Sequence, residues 1–486
     1  MVAQDPRDIY QSPLVSRYTS WAMQHVFSDN NKFGLWRRVW LALAEAQHEK
    51  GLARVTGEMV EEMRAAIDEL IDWDFVAARE KEIRHDVMAH ADEFRRHLPT
   101  AKGIVHLGAT SMDIGDNTEL IQHRQALGLI KPRLIATIAN LARFAEEHKG
   151  LVTLAYTHYQ PAQPTTVGKR TTLYIQDLLF TLDDIERVEG LVSTARGLKG
   201  ATGTQASFLE LFDGDEEKVR QLDDLFSRKL GFDETMPVTG QTYSRAIDYR
   251  VAAALGGLGG AAHKFAVDLR LLSNLKVMEE PFEKDQTGSS AMPYKRNPMR
   301  AERMTGLSRE LMSLPGKLAA VHGEQWLERT LDDSAQKRIV VAEGYLTADA
   351  VLNLYQNISK GMVVYPAQIE GHLRNELPFM AVEEMLMEAC KKGADRQVVH
   401  ELLKGHSVEA GRQVKEHGRP NDLLDRVAGD SRIGLDGAYL DGLISRPGRF
   451  AGMAASQTER FLADYVAPVL SRYGGMASRV DGEIKV

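Results

Sequence analysis

Apolar residues at Leu35, Val39, Leu43 and Ala46 recur every three or four positions, which puts them on one face of a helix over 35–50. A second helix is expected over 56–70. It opens on Thr56-Gly57-Glu58-Met59, where Thr56 can cap the first turn, although the acid sits one position early for a full capping box. Four longer segments, 118–148, 165–195, 244–278 and 302–323, carry apolar residues at mixed spacings of three and four. Strict alternation of the β kind is scarce, so the pattern predicts an all-α protein.

Segment 244–278 has an unusual centre. Ala252 to Ala262 holds almost no bulky side chain, and glycine stands at 256, 257, 259 and 260. Each interior glycine costs a helix up to about 1 kcal/mol relative to alanine. The expected compensation is close packing, because small side chains let neighbouring axes approach within the usual ~8–10 Å. A loop through Gly256–Gly260 is the alternative. Helix-breaking residues fall near 99–112 (Pro99, Gly103, Gly108) and near 361–366 (Gly361, Pro366). They divide the chain into an N-terminal helical domain (1–111), a central long-helix bundle (112–364) and a C-terminal helical domain (365–486). Several central helices exceed 25 residues. A lone chain could hardly cover so much apolar stripe, so the bundle is expected to oligomerise.

Composition narrows the function. Of 486 residues, 43% are hydrophobic and 26% charged, ordinary for a soluble globular protein. The net charge of −8 argues against general nucleic-acid binding, so an anionic ligand must be met by local clusters of Arg and Lys. The single cysteine, Cys390, excludes an internal disulfide and a multi-cysteine zinc site, and fits a reducing compartment. Met1 to Tyr10 has no apolar core of a secretory signal. The longest apolar run, Val251–Ala262, is too short to span a bilayer.

Five clusters carry candidate chemistry. Residues 288–302 pack two hydroxyls, several cations and an amide into a loop that Pro293 and Pro298 keep from being a helix. Ser289 or Ser290 could serve there as a base, with Lys295 and Asn297 clamping an anion; an exposed surface loop is the bland alternative. Thr157 to Pro164 sets His158 among amides just before a helix start, although a lone histidine is usually structural. Arg84-His85-Asp86 precedes His90, and residues five apart lie about 140° around a helix, the wrong spacing for a metal pair. That stretch reads alone as a solvated helix face. His106 to Ser111 ends in Thr110-Ser111, which caps a helix as easily as it binds a ligand. Glu328 to Arg338 lets Arg329, Ser334 and Arg338 converge on a phosphate, or form a charged turn with internal Arg–Asp pairs. Ser16-Arg17-Tyr18 offers a further phosphate contact. The sequence has no Walker loop, Rossmann fingerprint or metal-ligand spacing.

Residues Ser289 to Asn297 match the pattern S-S-x-M-P-x-K-x-N, the signature of the fumarase/aspartase superfamily. Within it the chain resembles the adenylosuccinate lyase family of the animal type, through Arg84–His90, His106–Ser111, Gly115–Thr118, Thr157–Arg170, Gly203–Phe208, Thr239–Tyr243, Met278–Arg300 and Glu328–Ser334. The resemblance implies a cytoplasmic homotetramer, a central helical bundle, active sites shared by three subunits, and no metal or organic cofactor. The implied reaction is β-elimination of fumarate from adenylosuccinate, giving AMP, and from the carboxamide ribotide SAICAR, giving AICAR. By the same resemblance Ser289 is the base, His158 the general acid, and His85 and Lys295 complete the catalytic set. Arg84 and Asp86 flank His85 in substrate binding. Thr110, Ser111, Lys295 and Asn297 face the succinyl carboxylates, and Gln241 is a further contact. Arg17, Tyr18, Arg303, Arg329, Ser334 and Arg338 form the nucleotide-binding set. Met112, Asp113 and Pro164 depart from many relatives without touching these positions. Another superfamily lyase, such as argininosuccinate lyase, would share the signature but lack a phosphate to bind. A structural, non-enzymatic relative would not need Ser289, His158 and Lys295 together.

Overall fold

The computed structural model describes residues 8–289 and 291–477. After a helical turn at Leu14–Tyr18 come α1 (Trp21–Val26), α2 (Asp29–Glu49), α3 (Gly57–Ala66), α4 (Trp73–Ile83) and α5 (Asp86–Arg95). The side-chain oxygen of Thr56 accepts from Met59 N and starts α3, as its sequence suggests. Trp36, Trp40 and Phe94 are buried in the first apolar cluster, which also takes in Phe208 and Phe226. Those two belong to α8 (Ala206–Leu211) and α9 (Glu216–Lys229).

The long helices are α6 (Ser111–Glu147), α7 (Val167–Val192), α10 (Ala246–Asn274), α11 (Met299–Gly323) and α12 (Asp332–Gly361). Their inward faces form the second and largest cluster. The α10 helix runs unbroken through its glycines, so the loop alternative falls. A Cβ on Gly259 would stand 2.7 Å from Leu311 Cβ and 2.9 Å from the Ser308 carbonyl, and one on Gly256 2.9 Å from Pro315 Cγ. These two glycines let α11 approach. Gly260 meets nothing within 4 Å in its own chain. Close packing inside the chain therefore accounts for only part of the small-residue run.

Three ends coincide. The Arg245 guanidinium, just before α10, reaches Asp116 in α6 at 3.1 Å and Asp333 in α12 at 2.8 Å. The N-termini of α6, α10 and α12 thus lie together. At ~1.5 Å per residue, helices of 37, 29 and 30 residues carry their C-termini about 40–55 Å away. There Met278–Glu279, after α10, pairs antiparallel with Val363–Val364, after α12.

Among the described residues three short strand pairs depart from the expected all-helical chain, and the longest is a hairpin. Val152–Thr157 (β1) and Gln160–Thr166 (β2) form an antiparallel hairpin, and the next helix begins at Val167, not 165. Pro161 and Pro164 bar a helix here, and a two-stranded ribbon has edges on both sides that tolerate proline.

The C-terminal part holds α13 (Pro366–Met380), α14 (Val382–Lys391), α15 (Arg396–His417), α16 (Leu423–Gly429) and α17 (Gly437–Ile444). Its third cluster is built on Met385, Leu403, Leu423 and Leu440. Further on, α18 (Ala454–Phe461) and α19 (Ala467–Ala477) return to the bundle, where Tyr473 joins the second cluster. Among the described residues no helix is long and apolar enough to cross a membrane.

Candidate active site

A cleft of about 670 Å³ opens where the three helix N-termini meet. Its walls include Arg84, His85, Asp86, Ser111, Arg329, Ser334 and Arg338. Stretches separated by more than two hundred residues thus share one cavity. His85 is not on a solvated helix face; it is the N-cap of α5. Its Nδ1 accepts from Met88 N at 3.3 Å, so the neutral ring carries its proton on Nε2, which faces Ser111 Oγ at 3.3 Å. Arg84, at φ 55°, makes the left-handed turn between α4 and α5. Asp86 accepts from Val87 N and from Arg338 Nη2 at 2.7 Å. Burial would raise this carboxyl, but those two donors and the Arg338 charge outweigh it and hold Asp86 below the usual carboxylate range.

The capping role of Thr110 is present. Its backbone N–H donates to Asp113 Oδ2 at 2.7 Å at the start of α6. Arg329 donates to Gln241 Oε1 at 3.0 Å and lies 3.7 Å from Asp333. The internal Arg–Asp pairing is therefore present, and Arg329, Ser334 and Arg338 line one cleft. Gln241 is fixed by its N–H to the Glu328 carbonyl at 3.1 Å; a Cβ on neighbouring Gly240 would stand 2.5 Å from that oxygen.

Beneath the cleft lies a layer of buried charge that sequence patterns did not reveal. Asp113, Asp116, Asp248 and Asp333 sit near helix N-termini, where the helix dipole favours a negative charge. Arg196 pairs with Asp113, both fully buried. Lys337 donates to Glu119 at 2.7 Å and to the Tyr243 hydroxyl at 3.0 Å, and lies 2.8 Å from Asp248. His123 bridges Asp248 at 3.2 Å and Tyr345 at 2.9 Å. Burial opposes the charge on Asp248, yet Lys337 and His123 hold its carboxyl well below the ordinary range. Burial lifts Asp116 despite its Arg245 partner. Acids in the first turn of a predicted helix were the available signal for part of this layer. Lys337 has only its i+4 spacing from Asp333. Lys32, which also lines the cleft, has no signal at all.

The remaining expected residues stand elsewhere. His158 and Tyr159 form the two-residue turn of the β1–β2 hairpin, at φ 51° and 55°. Left-handed backbone is unfavourable for side chains other than Gly, Asn and Asp, and such turns favour Asn-Gly. A His-Tyr pair held there is a strained choice of the kind found at functional sites. His158 is thus at a hairpin tip, eight residues from the dipole end of α7 that its sequence context implied. The hairpin follows the C-terminus of α6, the end opposite Ser111.

The loop before α11 is at that far end too. Gly288 O accepts from Asn297 Nδ2 at 2.8 Å, and a Cβ on Gly288 would stand 2.1 Å from the Lys295 carbonyl. Asn297 therefore spends one amide hydrogen closing the loop. Ser289 Oγ accepts from Met292 N at 3.2 Å and Ala291 N at 3.4 Å. Ser290 lies outside the described residues. Lys295 and Tyr294 are exposed. Four residues into α11, the Arg303 guanidinium lies 5.5 Å from the Tyr18 ring. Arg17, Tyr18 and Arg303 thus group near the loop, about 30 Å of helix away from Arg329, Ser334 and Arg338. His106 belongs to the N-terminal core: its Nδ1 accepts from Trp40 Nε1 at 3.1 Å, and burial lowers its pKa to about 4.

Comparison with known proteins gives the family. A family model described as "Lyase" matches residues 17–313, and one described as "Adenylosuccinate lyase C-terminus" matches 378–461. The chain is 50% identical to the adenylosuccinate lyase of Saccharomyces cerevisiae over 457 residues, 94% of each chain. It is 45% identical to that of Schistosoma mansoni over 470 residues, 96% of this chain and 97% of the other. Among solved structures, the 3-carboxy-cis,cis-muconate lactonizing enzyme of Pseudomonas putida superposes with a TM-score of 0.81 at 23% identity, covering 94% of this chain and 99% of that one; this likeness concerns the fold alone. By sequence over nearly its whole length, the chain belongs to the adenylosuccinate lyase family.

Proposed function

We propose that the protein is a cytoplasmic homotetramer, each subunit built as three helical units around the three apolar clusters. It removes fumarate from adenylosuccinate, leaving AMP, and from SAICAR, leaving AICAR. The observation that carries this reading is the cleft: Arg84, Arg329 and Arg338 beside Ser111, Ser334 and His85, in a chain half-identical to an adenylosuccinate lyase.

Ser289 takes a proton from the succinyl methylene next to a carboxylate. The electron pair left on that carbon forms the new double bond, the C–N bond breaks, and the nitrogen keeps its pair and receives a proton from His158. A serine is a poor base unless its alkoxide is favoured. The N–H groups of Ala291 and Met292 already point at Ser289 Oγ, and hydrogen bonds to a charged form favour that form. Lys295, together with Thr110 and Ser111, meets the carboxylate on which a second negative charge builds up. One donor aimed at such charge contributes roughly 3–4 kcal/mol. Arg329, Ser334 and Arg338, joined by Arg17, Tyr18 and Arg303, take the nucleotide. The exposed loop can close over the bound substrate and exclude water.

One chain alone cannot do this. The cleft and the Ser289 loop lie at opposite ends of helices about 40–55 Å long. Antiparallel packing of a second bundle brings its far end beside the first cleft, and a symmetric tetramer repeats the arrangement at every site. Gly260 and the exposed Leu173, Phe180 and Leu271 on the bundle surface support such packing. The test is ultraviolet absorbance on mixing the purified protein with adenylosuccinate and, separately, with SAICAR. Conversion of both is expected. An unchanged spectrum with both would favour another lyase of the superfamily.

A further inference from the structure

Lys32 lies in the first turn of α2 and projects into the same cleft as Arg338 and Ser334. Its ammonium stands 5.1 Å from the Phe33 ring centroid and 5.5 Å from that of Trp36. The other half-buried or buried cations of the cleft have carboxylate partners. Arg245 is held by Asp116 and Asp333, Lys337 by Glu119 and Asp248, and Arg329 by Asp333. Even the more exposed Arg338 has Asp86. Lys32 is half-buried and, among the described residues, its ammonium forms no ion pair and no hydrogen bond. A partly desolvated ammonium with only ring faces for company is an expensive arrangement unless an anion completes it.

The charge around Lys32 indicates which anion. The charge that acts on it most strongly is Arg338, a like charge; Glu119, Asp86 and Asp29 act more weakly. Arg338 is already paired with Asp86, so the anion has to serve Lys32 and share Arg338, which the three acceptor oxygens of a phosphate do better than the two of a carboxylate. A phosphate monoester carries about −1.5 to −2 near pH 7, whereas each succinyl carboxylate carries one. Burial and then the Arg338 charge lower the pKa of Lys32, consistent with a site short of one anion.

We infer that Lys32 is a further substrate-binding residue, its ammonium engaging the nucleotide phosphate together with Arg338. This rests on the function proposed above. The phosphate does not change during the elimination, so its contacts stabilise ground state and transition state alike, and their loss falls on KM.

The experiment uses the full-length protein with adenylosuccinate and with the same compound lacking its 5′-phosphate. Turnover of adenylosuccinate by the unmodified protein comes first; its failure would sink the functional reading itself, separately from this inference. Lys32→Met keeps the aliphatic stem against Phe33 and Trp36 and removes the charge. It should raise KM for adenylosuccinate about tenfold to a hundredfold and leave kcat within about twofold. Lys32→Arg should recover most of the loss. With the dephosphorylated substrate, Lys32→Met and the unmodified protein should behave alike. An unchanged KM for adenylosuccinate overturns the inference. So does an equal penalty with both substrates, which assigns the ammonium to a succinyl carboxylate. A variant that loses its assembly or melting temperature at unchanged KM shows a structural role and overturns it too. Should Lys32→Met not fold, Lys32→Gln answers the same question by the same ratio of KM values.

Discussion

At the cleft end of the bundle, charged side chains are locked beneath the surface: Arg196 on Asp113, Arg245 on Asp116 and Asp333, Lys337 on Asp248. At the far end, Ser289 and Lys295 ride on an exposed loop tied by Asn297 and by Arg296 to Glu279 and Tyr365, and His158 stands at a hairpin tip. The same helices connect the two ends. A rigid end can hold a nucleotide in register before chemistry starts. A loosely held loop can close over a bound substrate and then release the product. On the function proposed above, the buried-charge end would hold most of the substrate and the exposed end would transfer the proton.

The largest expected effect tests that assignment at the exposed end. Ser289→Ala and His158→Ala should each lower kcat by on the order of 10³–10⁴, with AMP affinity, read by calorimetry, within a few-fold of the unmodified protein. Either variant keeping its kcat removes that residue from the mechanism. The same substitutions should scarcely move the melting temperature.

The buried end should respond in the opposite way. Arg196→Met strands the Asp113 carboxylate at a fully buried site, and breaking such a pair costs about 3–5 kcal/mol. Denaturant unfolding should show that loss; a change below 1 kcal/mol would mean the charge layer does not hold this end together. Smaller again is Gly259→Ala, which drives a methyl against Leu311 and the Ser308 carbonyl and should cost about 1–3 kcal/mol. Gly260→Ala, open within its own chain, separates packing inside the subunit from packing between subunits. It should leave the stability of the fold near the original and weaken the tetramer in sedimentation.

A further effect concerns pH. Burial lowers the pKa of His90 and of His106 to about 4, against an ordinary value near 6.5. Both are neutral in the folded state, and unfolding takes up protons between those values. Their contribution is therefore fully present above pH 6.5 and declines as pH falls towards 4, by at most about 3 kcal/mol each. Melting temperatures at pH 7.5 and 5 should differ less in His90→Gln/His106→Gln than in the unmodified protein. An unaltered difference would place the acid sensitivity elsewhere.

Much of the fold was legible because the long central helices bury continuous apolar stripes, as the 244–278 segment shows even with four glycines. The hairpin was not, because Gln160-Pro161-Ala162-Gln163-Pro164 carries no alternation and its strand status comes from pairing with Val152–Thr157. The residue types of the site were legible in the signature loop, in Arg84–Asp86 and in Arg329–Arg338. Their separation was not. Spacing along a chain cannot tell which end of a 37-residue helix a side chain joins, and neither the cations of the buried charge layer nor Lys32 has a pattern that sets it apart from ordinary surface charge.

The claim that one chain supplies halves of different sites is tested most directly by mixing a dead variant with one that binds substrate poorly, assayed at substrate well below the KM of the second. Ser289→Ala and Arg329→Ala, dissociated together and reassembled, should recover activity. If each site takes its serine and its arginine from different subunits, random mixing makes about ½ × ½, roughly a quarter, of the sites intact. Mixed tetramers that form, confirmed by mass, and yet stay as inactive as their parents would contradict the account.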